Sequence, residues 1–365
     1  MGPLQGVRVL EMAGLGAAPF GVMLLADMGA DVVRIDRPPA TRKAADEQER
    51  HAREADPTRY CTHRGRRAVA VDVRSEAMFE LIARADVLVE AYRPGAMERL
   101  GLGPDSALAR NPRLVYARMT GWGQDGPLAR QAGHDINYIA VAGALDGFRR
   151  AGERPVPPIN LVADMGGGGL LLAFGVVSAL YERERSGRGQ VIDAAMIDGV
   201  ALQMSTVLAM AAQGRWHDEP GTNFADTGAP FYEVYETADG EHVAVGAIET
   251  PFYEELLVRA GVQLPPREDP ASWPEGKAAL AKVFRSRTRD EWAEVFAGSD
   301  ACVTPVLPLS EAPGHPQLAA RGTYVRRDGV LQPAPAPRFS RTRATLPDPP
   351  PVTPTDVADV LRGWT

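Results

Sequence analysis

The sequence predicts an α/β protein, with a Rossmann-like doubly wound large domain and a smaller α+β domain. Three observations favour this fold class. The chain has 365 residues, which is too many for one ordinary core and about right for two domains. Residues 1–190 alternate strand-like and helix-like stretches, a pattern typical of a parallel sheet covered by helices. Residues 225–310 mix two strand-like with three helix-like stretches, and we expect them to form the second domain.

The first domain begins with a β-α-β unit. Residues 6–12 alternate like a strand, residues 17–28 follow as a helix that ends at Gly29, and residues 31–36 form a second strand. Such a unit implies a parallel sheet. Further strands are predicted at 68–73, 87–90 and 114–118, with helices between them such as 76–85.

Two segments interrupt or leave this pattern. Residues 40–67 are charged and poor in apolar side chains, and we expect them to form an exposed, mobile insertion. Residues 196–214 form a long apolar helix candidate that would link the two domains.

The remaining elements complete a four-part organisation. The second domain is predicted to hold strands at 232–235 and 242–248 and helices at 251–260, 276–284 and 289–296. Proline-rich connectors at 332–338 and 346–354 precede a last helix, 355–361, which should pack on the first domain. The predicted parts are a large domain (1–195), a linker helix region (196–225), a small domain (226–310) and an extended return segment with its helix (311–365).

Composition narrows the functional classes. The formal net charge is -7, whereas nucleic-acid binders normally carry a basic surplus, so no nucleic-acid partner is expected. Cys61 and Cys302 are too few for a disulfide framework, and no metal-ligand spacing surrounds them. The longest uncharged run, 165–181, is slightly short for a membrane span and opens with four glycines, so we interpret it as a buried helix. With no signal peptide recognised, we expect a cytoplasmic protein without a membrane partner.

The first strand-to-helix turn is similar to a dinucleotide fingerprint. Residues 14–16 read Gly-Leu-Gly, and Asp36 closes the next strand, but the third glycine of the fingerprint is missing. A Rossmann-like fold without nicotinamide is therefore favoured. Arg37 follows directly and is well placed to contact a phosphate, and Arg74, Arg93 and Arg99 also lie at or beyond predicted strand ends. Each arginine alone is more often a solvated surface charge.

Three residues with acid/base chemistry stand in unusual local settings: His134, Asp164 and Glu249. His134 begins a predicted helix, and a histidine side chain can take or give a proton near neutral pH, although a lone histidine is often structural. Asp164 precedes a run of four glycines and a helix, where it is either a helix cap or a base, acid or nucleophile facing a ligand. The glycines would let a ligand approach the backbone, and the helix start would stabilise an oxyanion. Glu249 ends an apolar strand and would gain a role only by orienting a histidine.

Motifs along nearly the whole chain resemble one family. They lie at residues 4–11, 30–38, 116–124, 133–138, 160–164, 187–194, 244–249 and 300–307. On these residues the sequence resembles the family III CoA-transferase (CaiB/BaiF) superfamily, and within it the racemases that act on 2-methylacyl-CoA thioesters. His134 and Glu249 are the features that resemble the racemases specifically.

The resemblance implies roles for single residues. His134 and Asp164 would be two acid/base residues on opposite sides of the substrate α-carbon, and Glu249 would hold His134 by a hydrogen bond. No cofactor would be needed, since coenzyme A is part of the substrate. The resemblance assigns the CoA-binding positions to Arg37, Val71, Asp72, Val73, Arg74, Arg99, Gly133, Asp135, Ile136, Asn137 and Tyr138.

The resemblance also implies a homodimer with interlocked chains, in which Glu249 comes from the partner. Two alternatives remain open: a CoA-transferase that uses Asp164 as a nucleophile, and a CoA-binding relative without catalytic activity. The charged stretch 41–64 is longer than the family pattern, and Arg74 stands where the family commonly has lysine.

Overall fold

The computed structural model describes residues 2–38, 59–351 and 353–364, which belong to two compact units. The first unit is drawn from residues 1–142, 159–203 and 322–365, and the second from residues 143–158 and 204–321. Residues 143–158, which the sequence analysis assigned to the large domain, therefore group with the second unit. The predicted insertion at 40–67 falls mostly outside the described residues.

The first unit is built on a six-stranded parallel sheet. The strand order is β3-β2-β1-β4-β5-β6, which is the doubly wound order with its reversal between β1 and β4. The sixth strand was not predicted from the sequence. The strands are β1 (Arg8–Met12), β2 (Asp31–Asp36), β3 (Arg66–Ala70), β4 (Val87–Glu90), β5 (Val115–Thr120) and β6 (Val191–Ala195).

Helices cover both faces of this sheet, because successive strand side chains point to opposite sides. Val9 belongs to the apolar core on one face and Leu10 to the core on the other. The Val9 face is covered by α1 (Ala17–Asp27) and by the helix that ends at Ser186. The Leu10 face is covered by α2 (Glu76–Arg84), α3 (Ala96–Arg99), α4 (Pro104–Arg110) and the C-terminal helix.

The apolar run after Asp164 forms one continuous helix with two geometries. Leu161–Leu170 is π-helical, and α6 (Leu171–Ser186) continues it. Leu172 and Val176 lie in the sheet core, whereas Leu170, Phe174, Val177 and Tyr181 form an exposed apolar stripe. The expectation of a buried helix is therefore right for one face only.

Among the described residues, only the helix from Leu161 to Ser186 is long and apolar enough to cross a membrane. Helices in protein cores can meet the same two criteria of length and apolar composition. In this chain the inner face of the helix packs on the parallel sheet.

The predicted linker helix at 196–214 is two helices rather than one. These helices, α7 (Met196–Gln203) and α8 (Ser205–Ala212), are separated by a turn at Met204. The turn at Met204 shows that the prediction of one continuous helix was wrong. No residue of α8 is buried within the chain, although its composition is apolar. Between β5 and the π-helical segment lies α5 (Asp135–Val141).

The end of the charged stretch 40–67 is buried, against the expectation of an exposed insertion. Arg64 donates to both carboxylate oxygens of Asp27 at 2.7 and 2.5 Å, and Arg66 pairs with Glu11. Both arginines are at most 3% exposed. Charge density predicted exposure here, but each guanidinium has a carboxylate partner that the local sequence does not reveal.

The second unit packs three helices on a small antiparallel sheet. The sheet has the order β7-β8-β9. Its core is rich in aromatic side chains, including Phe231, Tyr235, Phe284 and Trp292. The elements are β7 (Tyr232–Glu236), β8 (His242–Gly246), α9 (Thr250–Ala260), α10 (Trp273–Phe284), α11 (Arg289–Val295), β9 (Val303–Pro305) and α12 (Pro316–Arg321).

The C-terminal segment returns to the first unit. It forms a hairpin that was not predicted, β10 (Tyr324–Arg327) and β11 (Val330–Pro333), and then α13 (Val357–Gly363). Val360 and Trp364 are buried in the core on the Leu10 face. Arg8 and Arg84 donate to backbone oxygens of this terminal segment, which ties it to the sheet unit.

Candidate active site

The candidate site is assembled where loops leave the carboxyl ends of the parallel strands. The loop after β1 and the loop after β4 meet there, since a methyl group on Gly14 would lie 3.4 Å from Ala91 Cβ. This is the point at which the strand order reverses, and ligands of doubly wound sheets bind in such crevices. Gly16 ends the first loop with φ 67°, a left-handed conformation suited to glycine.

Asp164 lies beside that loop, within the π-helical segment. A methyl group on Gly16 would be 3.4 Å from Asp164 Oδ2, so a larger residue at position 16 would crowd the carboxylate. Asn160 donates its side-chain N–H to the same oxygen at 3.1 Å. No partner for Oδ1 is found among the described residues. π-helical geometry is rare and is often found at functional sites.

Burial makes Asp164 a weaker acid than an ordinary aspartate. Desolvation is the largest cause of the raised pKa of Asp164; the Asn160 hydrogen bond opposes it, Asp135 adds to it and His134 opposes it. A carboxyl group whose pKa is raised both accepts and returns protons more readily near neutral pH.

His134 stands directly before α5 and shares the electrostatic surroundings of Asp164. Its backbone N–H donates to Asn137 Oδ1 at 3.0 Å, which fixes the start of the helix. The imidazole is exposed, and its positive form is close enough to lower the pKa of Asp164. The structure thus brings together two of the three acid/base residues that the sequence singled out.

Tyr138, in the first turn of α5, holds the loop that precedes this helix. Its hydroxyl donates to Gly133 O at 2.5 Å, and its ring packs edge-on against Trp122 with centroids 4.8 Å apart. A methyl group on Gly121 or Gly133 would collide with the Tyr138 ring, at 2.1 and 2.8 Å. Burial raises the pKa of Tyr138 to about 12, and the Asp164 and Asp135 charges add to the effect.

The four glycines after Asp164 have a different role from the one expected. They let helices approach: a methyl group on Gly168 would lie 2.9 Å from Ala17 Cβ, and one on Gly169 would lie 2.8 Å from Ala17 O. Gly167 packs in the same way against α7, 3.0 Å from Val200 N. Close packing between protein helices, rather than close approach of a ligand, explains these glycines.

The proposed oxyanion donors at the Asp164 helix start are also engaged within the protein. The N–H groups of Ala163 and Asp164 both donate to Asp135 Oδ2, at 2.7 and 2.8 Å. They are therefore not available to a ligand, and that part of the sequence interpretation was wrong.

Glu249 belongs to the second unit, where it is the N-cap residue of α9. Its side chain is exposed, and its backbone oxygen accepts from Tyr253 N–H at 3.0 Å. Its negative charge contributes, after burial, to the raised pKa of the nearby Cys302 thiol. A hydrogen bond from Glu249 to His134 stays a prediction.

The three arginines predicted to hold coenzyme A follow the carboxyl ends of three different strands. Arg37 is exposed after β2, Arg74 is exposed after β3, and Arg99 is exposed at the end of α3, which follows β4. Asp72 organises the second of these loops, because its Oδ1 accepts from Arg74 N–H at 3.0 Å and its backbone oxygen accepts from Ser75 Oγ at 2.7 Å.

Not every predicted contact residue offers its side chain. Val71 is 6% exposed and packs in the core, and Val73 is half-buried. Ile136 and Asn137 are exposed, whereas Asp135 is 5% exposed and turned toward Ala163 and Asp164.

Sequence reasoning did not single out Asn160, and it assigned Asp135 to coenzyme A rather than to the backbone of Asp164. Asn160 precedes Asp164 by four positions, a spacing that puts two helical side chains on one face and would have identified Asn160. The carboxylate of Asp135 is 29 residues away in sequence, and no local pattern indicates that contact.

The sheet order and the acid/base residues at its switch point define a doubly wound α/β protein with a candidate active site. A model of CoA-transferase family III matches residues 4–356, and the chain belongs to this family.

The chain is also similar to individual proteins of known name and to solved structures. The chain is 46% identical to the α-methylacyl-CoA racemase of Mus musculus and 43% identical to that of Homo sapiens, in each case over 93% of this chain and 87% of the relative. A solved structure of a hypothetical protein from Mycobacterium tuberculosis has 28% identity and a TM-score of 0.78, covering 96% of this chain and 97% of the other.

Proposed function

We propose that this protein epimerises 2-methylacyl-CoA thioesters, as an α-methylacyl-CoA racemase. The similarity to racemases of two mammals supports the substrate class. The observation that carries the mechanism is the connection between His134 and Asp164: Asp135, the residue after His134, holds the Asp164 backbone N–H at 2.8 Å. The chain segments that carry these two acid/base side chains are thus tied together within the first unit.

The reaction is a 1,1-proton transfer at the α-carbon. The C–H bond next to a thioester carbonyl is weakly acidic, and its removal needs a positioned base and stabilisation of the enolate oxygen. One side chain removes the proton to give a planar enolate, and the other returns a proton to the opposite face. We propose His134 and Asp164 for these roles, without a cofactor.

The enolate oxygen needs donors other than the N–H groups held by Asp135. The first turn of α5 begins directly after His134. The Asn137 N–H already donates to His134 O at 2.8 Å, which leaves the N–H groups of Asp135 and Ile136 as candidate donors. We propose that this helix start stabilises the enolate, close to the imidazole that exchanges the proton.

Coenzyme A is proposed to lie across the loops that follow β2, β3 and β4. Arg37, Arg74 and Arg99 supply the cationic contacts for its phosphates, and exposed arginine forks suit phosphate oxygens. The segments Val71–Arg74 and Gly133–Tyr138 contribute backbone and side-chain contacts along the way.

A homodimer with interlocked chains completes the proposal, with Glu249 of one chain orienting His134 of the other. The apolar stripe on α6 supports this assembly: Phe174 is 70% exposed and Tyr181 is 67% exposed. Apolar surface of this kind, together with the uncovered α8, is typical of a face that another chain covers.

The decisive experiment is α-proton exchange in deuterated water. One epimer of a 2-methylacyl-CoA thioester is incubated with the protein and no acceptor acid. A racemase incorporates deuterium at the α-carbon and yields both epimers. A CoA-transferase that uses Asp164 as nucleophile instead moves CoA to an added carboxylate without α-exchange, and a non-catalytic relative does neither.

Replacing Asn160 with alanine should alter the pH dependence of this reaction. The Asn160 hydrogen bond favours ionised Asp164, so its loss raises the pKa of Asp164 further. We expect the acidic midpoint of kcat/KM to move to higher pH for the epimer that Asp164 deprotonates.

Asn111→Ala is the matched control, because the Asn111 amide donates to backbone oxygens of Ile82 and Ala85 beside α2. This control should leave the midpoint where it is. An Asn160→Ala profile that overlays the wild-type profile would mean that Asp164 is not the titrating base.

A further inference from the structure

The Asp135 carboxylate is buried, and the described residues explain only one of its two oxygens. Oδ2 accepts the N–H groups of Ala163 and Asp164, at 2.7 and 2.8 Å. Oδ1 is buried and has no hydrogen-bond partner among the described residues. A buried carboxylate left half-satisfied calls for an explanation, and contact with coenzyme A does not provide one because the side chain is 5% exposed.

The position of Asp135 links two chain segments that carry the proposed chemistry. It is the first residue of α5, directly after His134, and its side chain reaches the π-helical segment that carries Asp164. The charge therefore lies near the N-terminal ends of both helices, where their dipoles favour an anion. If the carboxylate is shortened, the backbone N–H of the fully buried Ala163 loses its acceptor.

We propose that Asp135 is a positioning residue, whose carboxylate ties the backbone of Asp164 to the helix start behind His134 and thereby sets the separation of the two acid/base side chains. The inference rests on the proposed function. It assigns to Asp135 no contact with the reacting atoms.

The charges around Asp164 also indicate that the Asp135 carboxylate lies close to it. The groups that face Asp164 are Asp135 and His134 at the start of α5, Asn160 in its own segment, the Tyr138 hydroxyl, whose pKa Asp164 raises, and the uncharged Gly16 loop. After burial, Asp135 is the contributor that raises the pKa of Asp164 further. Positioning and charge can be separated, since asparagine keeps an oxygen acceptor but loses the negative charge.

The test compares Asp135→Asn with Asp135→Ala in the α-proton exchange assay. We expect Asp135→Asn to keep kcat within about tenfold of the wild type, and Asp135→Ala to lose about 100-fold in kcat with little change in KM, because misplacement by about 1 Å is enough for such a loss. A kcat ratio between the two variants of tenfold or more supports positioning, and a smaller ratio overturns it. Should the alanine variant not fold, a kcat of Asp135→Asn within tenfold of the wild type supports the inference and a greater loss overturns it.

The pH profile adds a readout that a purely structural role would not move. Removing the Asp135 charge lowers the pKa of Asp164, so the acidic midpoint of kcat/KM for Asp135→Asn should move to lower pH. Asp86→Asn is the matched control: Asp86 also accepts a backbone N–H, from Arg8 at 2.9 Å, but precedes β4 at the amino end of the sheet. The control should keep the wild-type midpoint, and an unmoved midpoint in Asp135→Asn contradicts the inference.

Hydrogen exchange of the backbone separates this inference from the proposed function. In the alanine variant the N–H groups of Ala163 and Asp164 should exchange at least tenfold faster than in the wild type, and in the asparagine variant at nearly the wild-type rate. Mass spectrometry of a peptide spanning residues 160–165 measures both. Wild-type protein that fails to exchange substrate α-protons refutes the racemase proposal, whereas equal backbone exchange in all three proteins refutes the tie made by Asp135.

Discussion

Replacing His134 with alanine is expected to slow epimerisation of a 2-methylacyl-CoA thioester by about 10²- to 10⁴-fold, the range for loss of a general acid or base. The two proposed bases serve opposite faces of one carbon, so neither can complete the inversion alone. Asp164 remains in place, because its backbone and side chain are held by Asp135 and Asn160 rather than by the imidazole. Chiral separation of the thioester product over time measures the effect.

The His134→Ala protein is also expected to exchange the α-proton of one epimer without inverting it. In the His134→Ala protein, Asp164 should still remove and return the proton on its own face. Deuterium should then enter one epimer with retention of configuration, and enter the other far more slowly. Wild-type rates of inversion in the variant would exclude His134 from proton transfer.

The matched control for this variant is His242→Ala. His242 is exposed at the beginning of β8 in the second unit. Its loss should leave epimerisation within about twofold of the wild type, since no step of the proposed reaction uses it. Binding of free coenzyme A should remain in both variants, which would distinguish lost chemistry from a lost binding site.

The sheet unit was largely predictable from sequence because its elements repeat a strong local pattern. Val9 and Leu10 are successive residues that face opposite cores, as the period of a strand requires. The β-α-β unit at residues 6–36 predicted a parallel sheet, and the structure has one. Strand β6 lies at the sheet edge, where Val191 and Asp193 are exposed, so its burial pattern gives a weak signal.

The candidate site was predictable as a set of residues but not as a geometry. His134 and Asp164 were recognisable from residue type and local setting, and the structure brings them into one electrostatic neighbourhood. The capping of Ala163 and Asp164 by Asp135 spans 28 and 29 positions and depends on tertiary contact alone. The glycine run was misinterpreted for the same reason: its neighbours are α1 and α7, which no window around Asp164 contains.

The raised pKa of Asp164 bears on the choice between racemase and transferase chemistry. A transferase requires ionised Asp164 to attack a thioester, whereas a racemase requires Asp164 to give as well as take a proton. Burial and the Asp135 charge raise the pKa of Asp164 more than Asn160 and His134 lower it, and a carboxylate with a raised pKa is a stronger base for taking a proton from carbon. The neighbouring His134 supplies the complementary proton carrier.

The second large effect is expected in stability, from the buried ion pair between Arg66 and Glu11. Both side chains are 1% exposed. Arg66 also donates to Thr62 O and Pro19 O, each at 2.6 Å, so one guanidinium joins β3 to β1, α1 and the turn before β3. Arg66→Met leaves the Glu11 carboxylate buried without its partner, and we expect the free energy of unfolding to fall by about 3–5 kcal/mol.

The neighbouring residue provides a matched control on the same strand. Arg67 pairs with Asp31 at 2.7 Å, but these side chains are 34% and 43% exposed. Arg67→Met should therefore cost about 0–1 kcal/mol, because solvent screens an exposed pair. Urea titration followed by fluorescence measures both variants, read as the transition of the first unit.

A double replacement tests the physical cause. Most of the loss in Arg66→Met comes from an uncompensated buried charge, so Glu11→Leu combined with Arg66→Met should recover much of the free energy of unfolding. The sum of the single effects should clearly exceed the effect of the pair. If Arg66→Met costs no more than Arg67→Met, the buried pair does not hold β3 to the sheet in the way its contacts indicate.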